Sequence, residues 1–154
     1  MKKFALALSV IALSSTAVSA GGHLTGNDAV DTRKALMQAV GAAAGAAGGM
    51  MKGEIDYNPA VANAAIAAMR GAAYSFGAFF PEGTDSVKGT TASAKIWEDA
   101  DGFAAAAAKF KADIDAASAA AGKDGPADLD AFKAAIGPVF ANCKSCHEGY
   151  RVKN

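Results

Sequence analysis

Cys143, Lys144, Ser145, Cys146 and His147 form a C-x-x-C-H run, the spacing that attaches a c-type haem. On a helix, thiols three residues apart and an imidazole four residues beyond the first share one face. Both sulfurs can then form thioethers to the porphyrin vinyl groups while His147 ligates the iron, giving one covalent haem c per chain. An axial imidazole is one of the standard protein levers on haem iron. Other chemistries use the same residue types. A thioredoxin-like redox pair is expected beside a βαβ pattern, and no segment of this chain reads as a strand. A structural disulfide needs only the two cysteines. A structural zinc site takes four ligands; two cysteines, His147 and the distant His23 would make an odd set.

The opposite end of the chain gives the compartment. Met1, Lys2 and Lys3 supply a positive start, Phe4 to Leu13 an apolar run, and Val18-Ser19-Ala20 a small-residue cleavage site. Residues 1–20 read as a secretory signal peptide, with an apolar run too short to span a bilayer. The remaining domain, residues 21–154, is expected in the periplasm or an equivalent export compartment, which suits a c-type haem. Every later apolar run is interrupted by a charged residue, so no membrane span is expected.

About 130 mature residues make one domain. Apolar residues are 52% of the sequence and aromatics 8%, so alanine dominates the apolar set and fills little core volume. A large apolar cofactor could supply the missing volume. The 15 basic and 15 acidic residues balance, and removing Lys2 and Lys3 leaves 13 against 15, a net charge of −2. That gives no argument for nucleic acid or for an acidic membrane surface.

Strong helix formers dominate the mature chain and β-branched runs are missing, so the fold class is all-α. A first helix is expected from about Asp28 to Lys52, capped by Asn27 or Asp28. Arg33, Met37, Gly41, Ala44 and Gly48 recur along one of its faces. Its glycines either let a helix or a flat ring approach closely or end the helix early. Asn58-Pro59 reads as a cap followed by proline at the first helical position, opening a second helix to about Ser75. A long connection follows from Phe79. The third helix is expected from near Ala92 to Gly122, and the fourth from Pro126 or Ala127 to about Tyr150, carrying the haem motif. Four helices with one long middle connection predict an antiparallel up-down-up-down bundle, which builds cofactor sites between facing helices.

With the motif at the C-terminus and followed by Tyr150-Arg151, the chain resembles the class II c-type cytochromes, the family of cytochrome c′ and its low-spin relatives. Arg33-Lys34-Ala35-Leu36-Met37, Lys52-Gly53-Glu54 with Tyr57, Phe80-Pro81-Glu82-Gly83-Thr84 and Ile96-Trp97 add to the likeness in family order. The resemblance implies the four-helix bundle with haem inside one end. It also implies Arg33 beside a haem propionate, where a guanidinium can pair with a carboxylate; the alternative is a solvated surface arginine. Arg151 is implied to lie beside His147 with a similar propionate or electrostatic role. Trp97 is expected in the core, and Glu148 and Tyr150 as orienting or packing residues.

Met37 lies one helical turn after Arg33, at the family's distal position over the iron. A methionine ligand there would raise the haem potential and block ligand access; the alternative is a gap filler. Met50, Met51 and Met69 are less suited by position, and His23 is expected in solvent. The leading expectation is a periplasmic one-electron carrier with His147 and Met37 as axial ligands, exchanging electrons with proteins of a respiratory or photosynthetic chain. The alternative is a five-coordinate cytochrome c′ that binds nitric oxide or carbon monoxide. An enzyme such as a peroxidase is not expected, because no second histidine or arginine pair is placed beside an open distal face. By analogy with family members, a homodimer packed through the first two helices is a further expectation.

Overall fold

The computed structural model describes residues 25–152; the expected signal peptide and His23 lie outside the described residues. Helix α1 (Asp28–Lys52) starts where the Asn27 side chain accepts a hydrogen bond from the Val30 amide at 3.0 Å. Asp28 and Asp31 suit the positive helix end. The helix stops at Gly53, whose φ of 73° lets its amide reach back to the Gly49 and Met50 carbonyls. The glycines therefore do not end α1 early. A Cβ on Gly41, Gly45 or Gly48 would meet nothing within 4 Å among the described residues, so no other described helix presses on them either.

Asn58 caps α2 (Pro59–Ser75) through the amides of Ala60 and Val61, and Phe76–Phe79 continue as a 3₁₀ turn. The expected third helix is divided. A single turn, α3 (Lys95–Glu98), precedes a break at Asp99 (φ −128°, ψ 58°), and α4 (Ala100–Ala121) then begins with the Asp99 carboxylate capping the Gly102 amide. The last helix, α5 (Leu129–Tyr150), starts two or three residues later than expected because Asp128 is its cap. Pro138 lies inside α5 and offers no amide hydrogen to the helix ladder.

Packing proceeds around the bundle in chain order: α1 on α2, α2 on α4, and α4 on α5. The ring does not close equally, for α1 and α5 meet only sparsely. In one half of the bundle Ala47, Met50, Ala62, Ile66, Met69, Ile114, Phe132 and Ile136 are buried together. Alanines there let the backbones approach, and Tyr57 closes that end with its ring tilted on Phe132 at 6.1 Å and its hydroxyl donating to the Pro126 carbonyl. The haem motif lies in the opposite half. No described helix is long and apolar enough to cross a membrane.

Candidate haem site

Cys143, Cys146 and His147 occupy one face of α5, as their spacing requires, and all three line a cavity of about 530 Å³. Such a volume is typical of a cofactor pocket. It lies along the α1–α5 seam, so this sparsely packed pair of helices contains the space. From α1 come Arg33, Met37, Val40, Gly41 and Ala44. Phe76, Phe80, Phe103 and Phe110 form apolar walls, and Thr90, Thr91 and Ala92 of the long connection complete them. Open space over Gly41 suits a flat ring.

Burial sets the protonation of the motif's side chains. Cys143 and Cys146 are not joined to each other. Burial raises both thiol pKa values, and for Cys146 the neighbouring thiol adds to the effect. Burial lowers the pKa of His147, and the positive charge of Arg151 adds to it. The imidazole is thereby held neutral, the form that ligates a metal. No group of three or more His, Cys, Asp or Glu suited to a metal ion occurs among the described residues. Two separate thiols and a neutral imidazole on an apolar, aromatic-walled cavity, with Arg33 and Arg151 on its lining, fit a haem with two carboxylates.

The other site residues fall as follows. Met37 lines the cavity, whereas Met50 and Met69 are buried in the core and Met51 packs against it. Arg151 ends α5 and pairs with Ala92 in an isolated antiparallel bridge. Tyr150 stacks edge-on against Phe103 at 5.4 Å and donates to Asp99 at 3.0 Å. Trp97 stands behind Phe80, its ring 6.1 Å away and its indole N–H donating to the Phe80 carbonyl at 3.1 Å, so it is a packing residue, half-buried and outside the main core where it was expected. Glu148 pairs loosely with Lys144 on the surface.

Arg33 is not a surface arginine, being only 4% exposed. Nη1 donates to Phe79 O at 3.1 Å and Thr84 Oγ1 at 2.9 Å, and Nη2 to Thr84 O at 2.8 Å and Thr90 Oγ1 at 2.6 Å. Its guanidinium lies over Phe80 at 4.8 Å and Trp97 at 5.8 Å. Sequence reasoning also missed Asn142. Its side chain, 5% exposed, donates to Asp113 at 2.6 Å and lines the cavity beside Cys143. A polar residue on the apolar stripe of Phe132, Ile136 and Val139 was the available signal.

Known proteins match this arrangement. The family model for Cytochrome C′ covers residues 28–151. A cytochrome c′ of Cereibacter sphaeroides is 36% identical over 99% of both chains. A cytochrome c-556 of Agrobacterium tumefaciens is 34% identical over 80% of this chain and 97% of its own. Among solved structures, a nitric oxide complex of a mutant cytochrome c prime from Alcaligenes xylosoxidans superposes with a TM-score of 0.70 at 33% identity, covering 82% of this chain and 95% of that one. Motif, cavity, bundle and relatives agree: the chain is a four-helix-bundle protein with covalently attached haem c, and it belongs to the cytochrome c′ family.

Proposed function

We propose that this protein is an exported monohaem cytochrome that binds nitric oxide or carbon monoxide at an iron held by His147. The cavity wall formed by α1 carries this reading. Beside Met37 it offers only Val40, small residues and polar groups at its edge, and no second histidine lies among the described residues. The family match and the relative caught with nitric oxide support the same reading. The bound haem supplies an iron that takes up a gas or exchanges one electron. Cys143 and Cys146 hold the ring through thioethers, His147 offers its neutral nitrogen, and the phenylalanine walls keep water away. Arg33 and Arg151 supply positive charge toward the carboxylates. No catalytic turnover is assigned.

Met37 favours a second reading, because it lines the cavity together with His147. Its thioether as sixth ligand would close the iron to gases and make the protein an electron carrier for a respiratory or photosynthetic chain. An optical spectrum of the reduced protein, with and without carbon monoxide, separates the two. A high-spin spectrum with ready carbon monoxide uptake is expected. A low-spin spectrum that admits carbon monoxide only after Met37→Ala would establish the second reading instead.

Export is part of the proposal: residues 1–20 are removed and residues 21–154 form the haem domain in the periplasm. The intact mass of the exported protein should correspond to a chain starting at Gly21 plus one haem. The same domain is proposed to pair with a second copy through α1 and α2, which sedimentation of the loaded protein would reveal.

A further inference from the structure

We propose that Arg33 is a positioning residue whose guanidinium straps the 79–92 connection across the open α1–α5 seam, and so sets how readily small molecules reach the cavity. The four hydrogens on its terminal nitrogens are matched by four neutral acceptors, all in that connection: the carbonyls of Phe79 and Thr84 and the hydroxyls of Thr84 and Thr90. Of the five N–H groups of an arginine, only that on Nε is then left for an outside acceptor. Arg33 therefore cannot grip a haem carboxylate with both terminal nitrogens while it holds these bonds, and pairing with a propionate is at most a single-donor contact.

The acceptors are themselves organised. Thr84, 4% exposed, passes its hydroxyl hydrogen to Pro81 O at 2.8 Å while accepting from Arg33. Thr90 accepts from Arg33 and also from the Ala92 amide at 3.2 Å. The far end of the same segment is fastened to α5, where Ser93 N donates to Tyr150 O and Val152 N to Thr91 O, each at 3.0 Å. Thr90, Thr91 and Ala92 line the cavity. The segment is thus bonded to α1 on one side and to the end of α5 on the other, across a sparsely packed helix pair. Hydrogen bonds from a charged group are the stronger kind, and the Phe80 and Trp97 rings hold the fork in place. Removing the strap should leave the helices standing and loosen this wall.

The test uses the exported, haem-loaded protein, and its access arm rests on the gas-binding reading above. Arg33→Lys keeps the charge but puts all donors on one nitrogen, which cannot span four acceptors. A Thr84→Val, Thr90→Val double variant keeps Arg33 and removes both hydroxyls; Thr84→Ser, Thr90→Ser restores them. Hydrogen exchange by mass spectrometry reads the 84–94 segment against α2 as an internal control. Both disruptive variants should exchange in 84–94 on the order of tenfold faster, with α2 unchanged and the serine pair near wild type. Their carbon monoxide association should quicken severalfold, with the serine pair near wild type. Unchanged exchange in both disruptive variants overturns the strap, and faster exchange without faster association overturns its control of access. A wild type that takes up no carbon monoxide overturns the gas-binding reading and with it the control of access, while the exchange comparison still decides the strap.

Discussion

In the proposed haem site Cys143 and Cys146 would hold the ring by thioethers and His147 would ligate the iron, so their substitutions should part accordingly. His147→Ala is expected to keep the added haem mass after denaturation while losing the wild-type ligand-field spectrum. A Cys143→Ser, Cys146→Ser variant should lose the mass addition altogether. Intact-mass and optical measurements on the exported proteins check both outcomes. Arg33 and Arg70 make a second comparison at this scale. Arg70 lies on the surface, bonded to Asp115 at 2.6 Å, where an ion pair contributes little to stability. Arg33→Ala would leave buried carbonyl and hydroxyl oxygens without a donor, at a cost of about 3 kcal/mol. Urea unfolding should therefore separate the two variants clearly. The chemistry-bearing residues of α5 were legible because a three-and-four spacing fixes a helix face by itself. The partners of Arg33 were not, since Phe79, Thr84 and Thr90 lie 46 to 57 residues away along the chain.

Helix α5 has to be held at the right height for its motif to meet the cavity, and Asn142 ties it to α4. Its acceptor, Asp113, also pairs with Lys109 at 2.7 Å, and these two hydrogen bonds, the lysine's first, lower the carboxyl pKa from 3.8. A carboxyl depressed in the folded state contributes stability above its unfolded pKa, and that contribution is lost as pH falls through the folded value. Asp113→Asn should flatten the acid limb of the stability profile below about pH 4, leaving the neutral region less stable than wild type. Thermal melts across that pH range give the answer. Gly102 supports the other end of α4, where a Cβ would strike both the Asp99 carboxylate and the Tyr150 hydroxyl. Caps and turn residues marked α1 and α2 closely, because Asn27, Gly53 and Asn58-Pro59 act on their immediate neighbours. The division of the third helix was hidden. Aspartate is tolerated inside a helix, and what accompanies the break at Asp99 is the contact with Tyr150 from the far end of the chain.

Across the whole molecule, one half of the bundle is a packed core and the other half surrounds the cavity. Phe132 is fully buried in the packed half, so Phe132→Ala should cost about 3 to 5 kcal/mol. A chain denied its haem, such as the Cys143→Ser, Cys146→Ser variant, should lose order unevenly. Protection against hydrogen exchange should persist around Ile66, Ile114 and Ile136 and fall along the α1–α5 seam, where apolar walls would face water. Uniform protection in both halves would show that the bundle closes without the cofactor.

The sequence by itself determined the helical class, two helices almost to the residue, the shared face of Cys143, Cys146 and His147 on the last helix, and the family likeness. Each of these depends on short-range spacing, capping or local composition. It left two functions open, and the comparisons favour the gas-binding one over the electron carrier first expected. Tertiary structure alone decided that Arg33 is buried and bonded to a distant connection, that Asn142 joins α4, and that α1 and α5 part to form the cavity. Those outcomes depend on which remote surfaces meet when four helices pack, and periodicity along one helix does not encode them.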